Sequence, residues 1–257
     1  ITGSLGLFSA SSPPVDEEPN FNLRKMAAQQ GRTAVPAGGA AEVGEESGSE
    51  PLPKYVALTF DDGPTCGLTE QLLDGLRARY LSVTFFLCGY RIAQCPDTVR
   101  RMAAEGHELA IHGQTHTYLH NQPQSVVRRE LEETGGLIET LTGTSPRLFR
   151  PPGGLTSEAL LAESVRQGLP LILWSVDPED WNTSDSGRVV RRIVGHVRDG
   201  DIILMHDIFE TSVTAALACV DRLMAQGYYF VTVEELFALR GEVPQEGGVY
   251  LSLPPKT

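Results

Sequence analysis

Two regimes of polar and apolar patterning divide this chain. From Tyr55 onward, short apolar runs at residues 55–60, 83–88, 108–111, 148–150, 171–175, 202–205 and 229–231 alternate with longer stretches at 68–80, 96–105, 124–142, 157–167, 187–198, 213–226 and 233–239. The short runs have the length of strands buried on both faces, and the long ones have the period of helices packed by one face. Pro96 suits the first turn of its helix. Strands and helices in regular alternation predict an α/β domain of β/α units on a parallel sheet. About seven such units suggest a barrel of parallel strands, and an open doubly wound sheet is the alternative, because periodicity does not show whether the first and last strands meet.

Residues 1–52 follow the other regime. They hold Ser-Ser-Pro-Pro, Gly-Gly, the acidic stretch 42–50 and almost no aromatics. Too little apolar surface is available to offset the entropy of ordering, so a disordered linker is expected there. The division is therefore a linker over 1–52, a catalytic-sized domain over 53–241 and a C-terminal tail over 242–257. The chain begins with Ile1, which points to a trimmed or processed start with any anchor upstream of it.

Charge and cysteine usage narrow the picture. Across 257 residues, 33 acidic side chains against 21 basic ones give a net charge of -12. That balance repels nucleic acid and anionic membrane and favours a neutral substrate. No apolar run reaches the roughly 18 residues of a membrane span, so no membrane contact is expected from this stretch itself. Cys66, Cys88, Cys95 and Cys219 form no C-x-x-C pair, which argues against a zinc ribbon or a redox dithiol. A Cys88–Cys95 disulfide is one reading of the spacing. Free buried thiols are the preferred one, since a large core has little need of staples.

Polar residues collect immediately after the predicted strands, where both barrel and open α/β folds place their sites. Thr59-Phe60-Asp61-Asp62-Gly63-Pro64 puts two carboxylates at a strand end. Adjacent residues point in different directions, so one can bind a metal while the other stays free as a base, although Asp-Gly and Gly-Pro also mark ordinary turns. His112-Gly113-Gln114-Thr115-His116 sets two imidazoles four residues apart, which with Asp62 makes a two-histidine, one-carboxylate set with room for further ligands. His107, His120 and His196 lack such company and are read as structural or solvated. Arg150-Pro151-Pro152-Gly153-Gly154 joins a carboxylate-orienting guanidinium to a stiff, open turn. The run from Trp174 to Trp181 combines Asp177, Glu179 and Asp180 with both tryptophans, and Leu204-Met205-His206-Asp207 ends a strand with a candidate general acid.

These five clusters, in this order, resemble the five motifs of the polysaccharide deacetylase family, the NodB-homology carbohydrate esterases, over about residues 54–240. The resemblance implies a distorted (β/α) barrel. It further implies a divalent metal, usually Zn2+ with Co2+ or another transition metal as alternative, on Asp62, His112 and His116. Asp61 would be the base and His206 the acid, with Arg150 set against Asp61 and Asp177 beside His206. Trp181 and Leu204 would line the groove with Pro151, Pro152 and Gly153, where a main-chain amide would meet the oxyanion. Cys66, four residues from Asp62, is read as an accidental thiol. Gly113 stands where the family usually has Ser or Thr, and Gly153 where many members have Tyr. Neither change removes a reacting group.

The expected substrate is an N-acetylglucosamine polymer such as peptidoglycan, with chitin oligomers and O-acetyl xylan as rivals. A non-catalytic glycan-binding module is the reading from another class, and retention of Asp61 and His206 argues against it. A monomer is expected, extracellular or at the cell surface and tethered through its N-terminal segment.

Overall fold

A computed structural model describes residues 52–256, so the linker expected over 1–52 lies outside the described residues except for Leu52. The strands are β1 (Lys54–Asp61), β2 (Thr84–Leu87), β3 (Glu108–Ile111), β4 (Leu171–Ile172), β5 (Ile202–His206), β6 (Tyr228–Val231) and β7 (Val249–Tyr250). The helices are α1 (Leu68–Arg77), α2 (Gly89–Gln94), α3 (Pro96–Ala104), α4 (Gln124–Thr142), α5 (Glu158–Arg166), α6 (Ser186–His196), α7 (Glu210–Ala225) and α8 (Val233–Leu239). Among the described residues no helix is long and apolar enough to cross a membrane.

Strand β1 is the hub of the sheet. It pairs in parallel with β2 through Thr59–Asp61, with β5 through Ala57–Asp61 and with β6 through Lys54–Ala57. Beyond β2 and β3 the wall continues through single parallel bridges, Ile111 to Phe149 and Phe149 to Leu171, and Val176 then bridges Ile203 of β5. The parallel pairings thus lead back to β1, giving the distorted barrel. The strand expected over 148–150 shrinks to the bridge at Phe149, because Pro151 and Pro152 have no N–H to extend a ladder. Residues 242–257, expected as a tail, contribute β7, which pairs in parallel with β4, and the buried Leu253, whose N–H donates to Gly200 O.

Alternation along β1 decides what each side of the wall holds. Val56, Leu58 and Phe60 join the apolar core with Leu72, Leu73 and Leu76 of α1. Thr59 and Asp61, two residues apart, therefore point together to the barrel interior. The helices end where local chemistry ends them: Ser157 and Asp185 cap α5 and α6, Thr232 and Glu235 form a capping box on α8, and Gly143 closes α4 in the left-handed region at φ 74°.

The expectation of free thiols holds at Cys88 and Cys219 and is overturned at Cys66 and Cys95. Cys66 pairs with Cys95 at a Cα–Cα distance of 5.6 Å, whereas Cys88 and Cys219 are buried free thiols. Cys88 and Cys95 flank α2, and seven residues along a helix put Cα atoms about 10 Å apart, beyond disulfide reach. The bond ties the loop that follows Asp62 to the start of α3. Closing a loop across a sequence separation of 29 should stabilise the fold by about 2–4 kcal/mol. A Cys66→Ser, Cys95→Ser protein is accordingly expected to melt roughly 5–15 °C lower. Identical melting of this variant and the oxidised parent in calorimetry would remove the disulfide from the stability argument.

Candidate active site

The site opens at the C-terminal ends of the strands. Asp61 is the last residue of β1, and Asp62 follows at φ 73°, a left-handed turn that aims the second carboxylate into the same cleft. A side chain at Gly63 has no room, since its Cβ would lie 2.1 Å from Asp207 Oδ1. His112 follows β3, and His116 sits at φ 61°. Non-glycine residues in this region cost of order 1–3 kcal/mol each, strain that the surrounding packing holds at a functional site.

Asp62, His112 and His116 present one ligand atom each within 4.8 Å of one another. His112 Nδ1 lies 2.7 Å from Arg150 O. A carbonyl only accepts, so Nδ1 carries the proton and Nε2 keeps its lone pair. That Nε2 is 3.2 Å from Asp62 Oδ1, and His116 Nε2 is 3.0 Å from the same oxygen, which is buried without a hydrogen-bond partner. The lone pair of His112 Nε2 facing a buried carboxylate oxygen is a repulsive arrangement that a divalent cation resolves, and one carboxylate with two imidazoles is a donor set such a cation takes. The residues fit the metal that the motifs imply.

The loop between the two histidines is braced by a residue the sequence reading missed. Glu130, on the buried face of α4, accepts from Thr115 N–H and Thr115 Oγ1, each at 2.8 Å. A side chain at Gly113, φ 98°, would press on Glu130 Oε2 at 3.3 Å. The carboxylate thus braces a loop whose residue 113 offers no hydroxyl.

Arg150 is fully buried. Its Nη1 donates to Asp61 Oδ1 at 2.6 Å and to Thr59 Oγ1 at 2.8 Å, its Nε to Ile172 O at 2.8 Å, and its Nη2 to Leu173 O at 2.9 Å. The guanidinium also lies 3.9 Å from the centre of the Phe86 ring. Asp61 Oδ2 is left on the metal-ligand side, 3.7 Å from His112 Nε2.

His206, the last residue of β5, is held by Asp180 and not by Asp177. Its Nδ1 lies 2.9 Å from Asp180 Oδ1, and its backbone N–H donates to Asp180 Oδ2 at 2.9 Å. Glu179 at φ 53° turns the chain so that Asp180 is buried, while the exposed Asp177 accepts from Glu179 N–H and lines the rim. Burial alone would lower the basicity of His206. The Asp180 hydrogen bond and charge, reinforced by Asp61 and Asp62, push it up to about 9.

A cleft of about 370 Å³ brings together Asp61, Asp62, His112, His116 and His206, with Gly153, Trp181 and Leu204 in its lining. Pro151 and Pro152 are buried and lie outside that lining. In their loop Arg150 N–H donates to Ile111 O and Gly154 N–H to Pro151 O. Since prolines have no N–H, Gly153 N–H is the amide this loop leaves for a ligand.

The pattern of the family described as Polysaccharide deacetylase matches residues 48–172. The peptidoglycan-N-acetylglucosamine deacetylase PgdA of Listeria monocytogenes is 38% identical over 77% of this chain and 41% of its own length, so the chain spans about two-fifths of that relative. A peptidoglycan-N-acetylglucosamine deacetylase of Bacillus cereus is 37% identical over 71% of this chain and 88% of its own. A family 4 acetyl xylan esterase from Clostridium thermocellum, solved with a cobalt ion, superposes with a TM-score of 0.74 at 32% identity, covering 78% of this chain and 100% of that one.

Proposed function

The chain belongs to the polysaccharide deacetylase family, and on that premise we propose that it hydrolyses N-acetyl groups of N-acetylglucosamine residues in peptidoglycan or a related polysaccharide, releasing acetate. The observation that carries this reading is the meeting, in one cleft, of the Asp62, His112 and His116 set with the Asp61–Arg150 and His206–Asp180 pairs. Zinc is the metal proposed, with cobalt as the alternative on the same donors. When bound, a divalent cation supplies Lewis acidity to an acyl carbonyl and makes water a better nucleophile at neutral pH.

The chain's own groups then divide the work. Asp61 Oδ2 takes the proton of the attacking water, while Arg150 fixes the other oxygen. Gly153 N–H donates to the oxyanion. His206 holds a proton at neutral pH and gives it from Nε2 to the departing amine, since Nδ1 is engaged by Asp180. Trp181 and Leu204 flank the sugar. An extracellular or cell-surface location is supported by the Cys66–Cys95 disulfide, which persists in oxidising surroundings.

The experiment is acetate release from peptidoglycan and from N-acetylglucosamine oligomers by chelated protein with and without added zinc. Zinc-dependent release is expected. No release from either, under any metal, would shift the reading to acetylated xylan and then to a glycan-binding module.

The acid role also sets a pH dependence. With His206 raised to about 9, its proton is held through neutral pH and lost as the pH rises past that value, so the rate should fall on the alkaline side near pH 9. Asp180→Asn removes the anion that raises the imidazole and should move that limb down by about one unit or more. The Asp180 pairing likewise favours the folded state fully below the ordinary histidine value of 6.5, and this contribution is lost as the pH rises through about 9. A pH–rate profile of the variant identical to that of the parent would assign the limb to another group.

A further inference from the structure

We propose that Tyr118 is the second aromatic wall of the glycan groove, so that the cleft grips sugar rings on both sides of the reacting residue, and that Gly153 is the vacancy that admits its ring. The inference rests on the deacetylase reading above and extends it to a residue outside the five motifs.

Tyr118 follows the metal-ligand candidate His116 by two residues, is 55% exposed, lies with its ring centre 6.3 Å from the His116 ring and lines the same cleft. A Cβ built on Gly153 would sit 2.6 Å from Tyr118 Cε1. The phenol ring therefore occupies the volume that a side chain at position 153 would need, and Gly153 at φ 71° is suited to the backbone as well. Position 153 lends no side chain to the groove, and the wall comes instead from the loop after β3.

Trp181 lines the same cleft from a different loop. Trp181 is 56% exposed and adjoins Asp180, the residue that holds His206. Its loop lies between β4 and β5. In the order in which pairings run around the barrel, β3 and β5 are separated by β2 and β1 on one side and by Phe149 and β4 on the other. Tyr118 thus stands beside the metal ligands, while Trp181 and Phe209, 39% exposed with its ring centre 6.4 Å from that of His206, stand beside the acid. Large aromatic faces left open in a polar cleft suit the apolar C–H face of a pyranose. Such rings beside both the metal ligands and the acid call for a chain of several sugars and not a single one.

Binding of N-acetylglucosamine oligomers of increasing length to zinc-loaded Asp61→Asn protein, followed by calorimetry, tests this. Adding Tyr118→Ala should raise Kd for the longer oligomers about tenfold, a loss of the size expected for one aromatic contact. Zinc affinity should stay unchanged, and Tyr118→Phe should restore binding. In the active enzyme the same alanine should raise KM for long oligomers with little change in kcat. Unchanged oligomer binding by Tyr118→Ala overturns the inference. So does an equal loss at every length together with weaker zinc binding, which makes Tyr118 a brace for His116. A parent protein that binds oligomers through Tyr118 but releases no acetate sinks the activity reading alone, and one that releases acetate with a KM indifferent to Tyr118 sinks this inference alone.

Discussion

Asp61→Asn is expected to lower zinc-dependent acetate release about 10³-fold, in the middle of the range for loss of a positioned general base, while leaving zinc bound. The expectation follows from how the two adjacent carboxylates are used. Asp62 Oδ1 lies 3.2 Å or less from both imidazole Nε2 atoms, whereas Asp61 is 3.7 Å from His112 Nε2 and spends its other oxygen on Arg150. Asparagine keeps the shape and can still accept from Arg150, but its amide takes no proton from water. Because Arg150 retains Thr59 Oγ1, Ile172 O and Leu173 O as acceptors, the variant should fold. Competitive zinc titration and acetate release on the same preparation separate the two effects. Release within tenfold of the parent would show that Asp61 is not the base, and loss of zinc together with activity would make it a metal ligand.

How much of this was legible in the sequence depended on the distance over which each contact forms. The β/α alternation and the grouping of polar residues after strands are local, and the proximity of Asp62, His112 and His116 was legible because each lies in a loop that follows a strand and the fold brings those loops to one mouth. The partner of His206 was misread because Asp177 and Asp180 stand in one short run, and the choice between them turns on a left-handed residue at Glu179 that no side-chain pattern announces. Glu130 reaches the histidine loop from a helix 15 residues on, and its only signal was a charged residue on the apolar face of α4 beside Val127, Leu131 and Thr134. The six residues of α2 were too few to show a period, and without α2 the spacing suggested the wrong cysteine pair. Strand β7 has only two residues and gains its place from β4, a long-range contact invisible to local pattern.

The same logic makes Arg150 the residue whose loss should cost the fold most. It is the largest fully buried side chain among the described residues, and it enters the barrel on the interior face of β1, where Thr59 and Asp61 stand two residues apart to receive it. Its remaining donors close on the carbonyls of Ile172 and Leu173, so one guanidinium joins β1 to β4 and the segment that follows it. Arg150→Met keeps much of the packing volume against Phe86 but leaves the Asp61 carboxylate, only 3% exposed, with no counter-charge from this side. Breaking a buried pair by removing one partner costs about 3–5 kcal/mol. That is a drop of roughly 6–20 °C in melting temperature for a domain of this size. Arg150→Lys should recover little of it, because a single ammonium cannot reach acceptors spread around a planar fork. Thermal unfolding of both variants beside Asp61→Asn,Arg150→Met, in which the stranded charge is also removed, tests the cause. Partial recovery in the double variant identifies the unpaired carboxylate as the source of the loss, whereas equal or greater instability assigns it to the lost hydrogen bonds to β4.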